Sequence, residues 1–426
     1  MLDRYGLPLS TSSPAAADAY VLAVDNLLSA GADLAAGFEA ALAPDPGFAL
    51  AEIGRARCHA TYGRSAEARS AAQQARTLVA GATRREQSHV NALALQIEGR
   101  GGEALAAIIE HLAQFPRDAM VLQPATGIFG LIGFSGRQER EAEQLALLDR
   151  LAPHYGEDWW FGAAHAFAEC EAGRLDDAAR RVERALATRP GNGNAAHVRA
   201  HVHYELNEAD QGAAFLRAWL PGYAPASLLR GHLSWHLALV EFGLGNTDAA
   251  WQLYDNTFGA PLHGRGQPTP PLNVLTDAAS WLWRTELLGA SARDDDWPRI
   301  ADYARASFPK AGVVFGDLHT ALAYARTGDA AALDRLGEEL AALGRERPAF
   351  GATAAFAAGF AAYAQGDWHA AADALASRHL EAVRVGGSHA QRELIDRTLV
   401  SALRLAGRAE AASALLTARP QASAGV

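Results

Sequence analysis

The sequence predicts an all-α protein built as a solenoid of helix–turn–helix repeats, and two observations support that class. Its 426 residues are rich in alanine, with leucine, arginine and glutamate at helical spacing. Turn residues recur about 34 to 44 positions apart, which is the period of stacked helix pairs. Because a single pair cannot bury its apolar face, we expect one continuous array without independent domains.

The predicted turns separate amphipathic patterns at Gly63, Gly99–Gly102, Gly136, Gly173, Asn207, Gly245, Gly289, Gly328, Gly366 and Gly407. The clearest repeat, Trp159–Pro190, has an aromatic entry, a turn glycine, an alanine-rich second helix and a closing proline. This pattern predicts a tetratricopeptide-like α-α superhelix. Residues 1–48 are expected to form an N-terminal arm and first helices, residues 49–418 the continuous array of about ten helix pairs, and residues 419–426 a C-terminal tail.

Composition limits the partners and the compartment. The formal net charge of −10 offers no basic face, so nucleic acid and membrane surfaces are not expected as partners. Two cysteines are too few for a disulfide framework or a cysteine-based zinc site and suit a reducing compartment. The first residues lack the basic and apolar regions of a secretion signal, and the apolar run Ala352–Ala364 is too short to cross a bilayer. We expect a cytoplasmic protein, with homo-oligomerisation left open.

Polar residues recur at similar distances before the predicted turns, on the first helix of each pair. One tier, roughly six to nine residues before its turns, consists of His165, His201, His236 and His319. A second tier about one helical turn earlier consists of His89, His197, His232 and Asp277. First helices usually line the concave side of such arrays, so both tiers should face one hollow, with Trp235 among its apolar walls.

A metal centre is one interpretation of these tiers. Two histidine pairs at i and i+4 each share one helix face and could converge on Zn²⁺, Fe²⁺ or Ni²⁺. The candidate ligands are His197, His201, His232 and His236. A carboxylate could complete the set, and the candidates for it are Asp277, Glu205 and Glu241.

Two other interpretations need no metal. In a metal-free pocket, His201 or His236 could act as general base while Asp277 orients a ring. Alternatively, the histidines make only structural polar contacts between helices. The segment Phe258–Pro271, rich in proline and glycine, is an insertion loop that acts either as a lid or as a link.

A further candidate site lies at the start of a late helix. Gly386-Gly387-Ser388-His389 precedes a helical pattern that carries Gln391 and Arg392. Ser388 suits a helix cap, with Arg392 in an ion pair. The alternative is anion capture at this helix N-terminus, assisted by Arg392.

Several stretches resemble the tetratricopeptide repeat protein 38 family, in the order of that family. They are DRYGLPLSTSS at Asp3–Ser13, TRREQSHVNAL at Thr83–Leu93, FPRDAMVLQ at Phe115–Gln123, HVRAHVHYE at His197–Glu205, GHLSWHLALVEFGLGNTDAAWQLYD at Gly231–Asp255, LTDAASWLWR at Leu275–Arg284 and GGSHAQRE at Gly386–Glu393. One departure is the turn at Asn207, where a Gly-Arg turn is expected. The resemblance implies a tetratricopeptide-like array. It also implies that the family signatures include His89, His197, His201, His232, His236, Asp277, Ser388, Gln391 and Arg392. It implies no biochemical role.

The sequence favours a tetratricopeptide-repeat protein that binds a small ligand in a concave, His-lined pocket, with catalysis there left open. The alternatives are a scaffold that binds a protein or peptide without chemistry of its own, and a structural assembly protein. Reactive side chains favour a compact pocket, since peptide grooves more often present Asn, Lys and Arg. The residues expected to bind the ligand are His89, His165, His197, His201, His232, Trp235, His236, Asp277, His319, Ser388, Gln391 and Arg392.

Overall fold

The structure is a computed structural model that describes residues 1–417, and within that range the chain forms α-helices and no strand. The first eleven helices are α1 (Pro14–Leu28), α2 (Leu34–Leu42), α3 (Ala49–Thr61), α4 (Ser65–Leu78), α5 (Arg84–Ile97), α6 (Gly101–Gln114), α7 (Ala119–Leu122), α8 (Arg140–Tyr155), α9 (Trp159–Glu171), α10 (Leu175–Thr188) and α11 (Gly193–Glu205). The remaining helices are α12 (Ala209–Trp219), α13 (Arg230–Gly243), α14 (Thr247–Leu253), α15 (Pro271–Leu287), α16 (Asp296–Ser307), α17 (Val314–Thr327), α18 (Ala330–Gly344), α19 (Pro348–Ala364), α20 (Trp368–Ser377), α21 (His389–Leu405) and α22 (Ala409–Thr417).

Left-handed residues end many of these helices, and each predicted turn holds one of them. Gly173 has φ 77° between α9 and α10, where a side chain would be strained. Asn207 takes the same place after α11 with φ 57°, because asparagine tolerates this conformation better than most residues. The departure from the Gly-Arg pattern therefore leaves the helix pair intact. Consecutive helices pair as expected for tetratricopeptide-like repeats, for example α3 with α4, α5 with α6, and α9 with α10.

By its internal contacts the chain divides into two compact units that interleave in sequence. The first consists of residues 1–133, 141–199 and 221–230, and the second consists of residues 134–140, 200–220 and those from 231 onward. The predicted division at residues 48 and 418 stays a prediction, and the predicted tail lies outside the described residues.

The first unit packs around aromatic rings. Tyr20 contacts Phe48 with ring centroids 5.1 Å apart, and Tyr155 stacks on Phe161 at 4.2 Å. The N-terminal arm is bound to α5, where Arg85 donates to the Pro8 carbonyl oxygen at 2.8 Å. The arm is thus part of this unit's packing.

The second unit is centred on α15. Trp281 is fully buried against Trp251 and Phe258, with centroid distances of 5.2 and 5.9 Å. Two residues further on, Trp283 donates from its indole N–H to Thr398 of α21 at 2.9 Å. This aromatic packing fixes α15, which also carries Asp277. No helix of the described chain is long and apolar enough to cross a membrane.

Candidate functional site

Three helices of the second unit bring together residues from both predicted tiers. His201 lies on α11, His232 and His236 lie one turn apart on α13, and Asp277 lies on α15. All four side chains are buried, with at most 4% of their surface exposed. Alternating with them on α13 are buried apolar residues such as Leu233 and Leu237, which hold that helix in the core.

The three histidine rings form a contiguous row. The ring centroids of His201 and His236 are 4.7 Å apart, and those of His236 and His232 are 4.8 Å apart. Both contacts are edge-to-face. One ring nitrogen of His201 and one of His236 lie within 4.8 Å of each other. The predicted convergence of the two helices is therefore found for these three residues.

At one end of the row, His232 forms a buried pair with Asp277. Its Nδ1 lies 3.0 Å from Oδ1 and 3.1 Å from Oδ2 of the carboxylate, so Nδ1–H donates to Asp277. Trp235 stacks on the same imidazole at 5.3 Å and 11°. Within the described chain no guanidinium bonds Asp277, so the histidine alone compensates this carboxylate.

At the other end of the row, His201 is held neutral. Burial, together with the nearby His232 and His389, lowers the pKa of His201 to about 3. At neutral pH its imidazole therefore offers one donor and one acceptor nitrogen.

A recess of about 190 Å³ adjoins this row, between α11, α12 and α13. Most of its wall is apolar, and its lining residues are Ala200, His203, Tyr204, Asn207, Glu208, Ala209, Gly212, Leu216, His236, Leu239, Val240, Gly243 and Leu244. Small-molecule sites have this combination of apolar walls with a few polar groups. His236 belongs to both the histidine row and the recess.

The polar groups of the recess are anchored from outside it. The Tyr204 hydroxyl donates to Glu393 at 2.6 Å, and Arg284 and Arg397 donate to the same carboxylate at 3.2 and 3.0 Å. Burial alone would raise the pKa of Glu393, but the charges of Arg397 and Arg284 hold it below its usual value. Glu393 is therefore an ionised anchor that orients the Tyr204 ring. On the rim, His203 bonds Glu208 at 2.8 Å.

The predicted insertion loop packs on the start of α13. Cβ atoms at Gly231 would lie 3.7 Å from Phe258 and 4.0 Å from Thr269. The loop is fixed at His263, whose Nε2 lies 3.1 Å from Asp296. Whether the segment opens as a lid stays a prediction.

A second histidine–aspartate cluster lies in the first unit, around Asp118. One oxygen of this carboxylate accepts from Arg85 at 2.8 Å, from His89 at 2.9 Å and from His111 at 3.1 Å. The hydroxyl of Ser88 lies 2.6 Å from the second ring nitrogen of His111. Asp118 and both imidazoles are buried.

Electrostatics keeps this cluster ionised at its centre. Burial alone would raise the pKa of Asp118, but His89, His111 and Arg85 together hold it well below its usual value. Burial lowers the pKa of His89. His89 was predicted in the same tier as His232, and both histidines bond an aspartate. The described contacts of His89 are with residues of the first unit, whereas His232 lies in the second.

The other predicted histidines have separate surroundings. His165 lies 2.8 Å from Asp149, and Nδ1 of His319 donates to the Phe315 carbonyl oxygen at 2.8 Å. His197 lies one turn before His201 on α11, and its ring contacts Phe167 at 5.3 Å. A ligand role for these three stays a prediction.

The residues predicted near Gly386 form a helix start. Ser388 and Gln391 make a capping box at α21, in which each side chain bonds the backbone N–H of the other residue. Arg392 donates to the Gly387 carbonyl oxygen. The cap at Ser388 matches the structural alternative, whereas an ion pair of Arg392 and anion binding stay predictions.

Three carboxylates were suggested as further metal ligands. Among the described contacts, Asp277 bonds a histidine of the row. Glu205 lies 3.5 Å from His389, and Glu241 pairs with Arg217.

Several polar residues at these sites were not predicted from the sequence as site residues. Arg85 and Asp118 lie within the quoted stretches TRREQSHVNAL and FPRDAMVLQ, which could have marked them. Tyr204 follows the predicted pair on α11 and Glu393 follows Arg392, but no spacing rule connects the two. His111 has no sequence signal.

The helix pairs define an all-α protein of the tetratricopeptide-like class. No model of a known protein family matches the chain. Among solved structures it is similar to a human IFIT1 dimer with m7Gppp-AAAA, at 12% identity and TM-score 0.47, over 98% of this chain and 96% of that chain.

Two further similar structures are the TPR domain of P58(IPK) and Naa15/Naa10 bound to HypK-THB. The first has 14% identity and TM-score 0.21, over 93% of this chain and 99% of that chain. The second has 15% identity and TM-score 0.25, over 96% of this chain and 64% of that chain. At these identities and TM-scores the likenesses say nothing about what this chain binds.

Proposed function

We propose that the second unit binds a small, mostly apolar ligand with one polar group in the recess between α11, α12 and α13. The observation on which this rests is the recess itself, about 190 Å³ in volume, with His236 in its wall. A protein cavity of about 150 Å³ holds benzene, so a ligand of that size or slightly larger fits.

Hydrogen bonding would orient such a ligand. His236 and Tyr204 supply polar atoms on an otherwise apolar wall, and the Glu393 carboxylate fixes the Tyr204 hydroxyl. The catalytic form of the proposal uses His236 or His201 as general base, with Asp277 orienting the neighbouring His232 ring. A metal-binding version of the proposal uses the same two histidines as ligands.

A cavity-filling substitution tests the proposal. Ala209→Leu adds bulk to the recess wall from α12, and Ala214→Leu places the same bulk on an exposed position of the same helix as a matched control. The probes are benzene, phenol and indole, each at a concentration of roughly ten times its Kd. A probe that binds should raise the midpoint temperature of thermal unfolding of the wild type and of Ala214→Leu by about 2 °C. Ala209→Leu should lose this rise. An equal rise in both variants would exclude the recess as the site.

The scaffold alternative makes a different prediction. A protein or peptide partner would spread its affinity over many side chains, so His236→Ala would barely weaken its binding. Membership of the tetratricopeptide repeat protein 38 family, a cytoplasmic location and the absence of nucleic-acid and membrane partners belong to the proposal as well. They rest on the sequence.

A further inference from the structure

We propose that His201 and His236 ligate a divalent transition-metal ion, with solvent completing its coordination. This inference goes beyond the ligand recess, because it holds whether or not an organic molecule enters that recess.

Two nitrogen ligands approach each other across α11 and α13. One ring nitrogen of His201 and one of His236 lie within 4.8 Å of each other, on rings that are buried and set edge to face. Zinc–nitrogen bonds of 2.0–2.1 Å in a tetrahedron require a separation of about 3.3 Å. Ligation of one ion therefore requires the two rings to approach each other by side-chain rotation. Both residues stand on helices packed in the core, which hold ligands more rigidly than loops do.

Charge compensation also supports the inference. The Asp277 carboxylate is buried beside the histidine row and is bonded within the described chain by His232 and by no arginine. His232 in turn contacts His236 at 4.8 Å. A buried carboxylate without a permanent cation favours a positive ion nearby, and carboxylate–histidine pairs recur around metal centres.

The ligand chemistry selects the metal. Imidazole nitrogens suit Zn²⁺, Co²⁺, Ni²⁺ or Fe²⁺, whereas Mg²⁺ and Ca²⁺ prefer oxygen ligands. Two histidines leave two positions of a tetrahedral ion for water or a ligand atom.

Metal retention tests the inference. Protein without a His tag is stripped with chelator, incubated separately with Zn²⁺, Co²⁺ and Ni²⁺, and analysed for metal after gel filtration. The wild type should keep about one equivalent, as in single-site zinc proteins. His201→Gln/His236→Gln should keep less than about a tenth of that amount, because both protein ligands are gone. His319→Gln is the matched control, since it removes a buried imidazole of the same unit that bonds the Phe315 carbonyl oxygen, and it should keep the full equivalent. Asp277→Asn should weaken the affinity, because it removes the buried negative charge beside the histidine row.

A second readout needs no variant. Wild-type protein loaded with Co²⁺ should show the intense visible absorption of four-coordinate cobalt. Weak absorption typical of hexaaqua cobalt, no retained metal in the wild type, or full retention in the double variant would each overturn the inference. This test and the test of the ligand recess can fail independently. If the wild type retains metal and Ala209→Leu still binds the probes, the metal site is supported and the recess is rejected.

Discussion

Each unit of the protein buries an aspartate against a histidine, but the two carboxylates are compensated differently. Asp118 in the first unit accepts from Arg85, His89 and His111, so a permanent cation balances its charge. Asp277 in the second unit has His232 and no guanidinium among the described residues. The same pair of residue types thus gives a saturated structural network in one place and an incompletely compensated site in the other.

The largest expected effect is on the saturated network. Asp118→Asn removes the carboxylate that lies 2.8 Å from the buried Arg85 guanidinium and leaves it with the more distant Glu86 at 3.9 Å, which should destabilise the first unit by about 3–5 kcal/mol. Hydrogen exchange of peptides from α5 to α7 measures this locally. Protection equal to that of the wild type would show that Arg85 finds other compensation.

Asp277→Asn should have a smaller effect, about 1–2 kcal/mol, because it weakens the hydrogen bond to His232 without removing the ionised partner of a buried guanidinium. The same exchange measurement on α13 and α15, made on metal-free protein, checks this value. A loss of exchange protection as large as that of Asp118→Asn would show that the two clusters do not differ in this way.

Lowering the pH should destabilise the second unit, because it contains a buried neutral imidazole at His319. Burial lowers the pKa of His319 to about 4. Since this is below the unfolded value near 6.5, the group stabilises the fold fully above pH 6.5, and that contribution falls away toward pH 4. At pH 5 the loss is on the order of 2 kcal/mol. His319→Gln should show less acid destabilisation than the wild type by this amount in urea unfolding at pH 7 and pH 5. His369→Gln, an exposed histidine of α20, is the matched control and should follow the wild type.

The smallest expected effect is at the outer end of the first cluster. Ser88→Ala removes the hydroxyl that lies 2.6 Å from His111, which should cost about 0.5–1.5 kcal/mol. Hydrogen exchange in α6 measures it, and a loss above about 3 kcal/mol would mean that the network is more tightly coupled than its hydrogen bonds indicate.

The sequence predicts the local features of this protein well, because they depend on near neighbours. The turn at Gly173 follows from glycine's freedom at positive φ, and the Ser388–Gln391 cap follows from a three-residue spacing. The meeting of His232 with Asp277 was also predictable, since equal offsets in successive repeats place residues on facing helices.

Contacts across longer distances were not predictable in this way. Asp118 lies in the connector before α7, and no periodicity relates it to His89, 29 residues earlier. The recess depends on how Leu216 and Leu239 fill the space between helices, which spacing does not determine. Contacts that depend on long-range packing can therefore be identified only from the folded structure.

The Glu393 anchor has a consequence for the order in which the second unit can assemble. Its partners Tyr204 and Arg284 precede it by 189 and 109 residues. Arg284 is fully buried, so a chain that ends before α21 would bury its charge without this counterion. In such a truncated chain the Tyr204 hydroxyl in the recess wall would also lack its Glu393 acceptor. During synthesis, Glu393 can orient Tyr204 only after α21 has emerged from the ribosome.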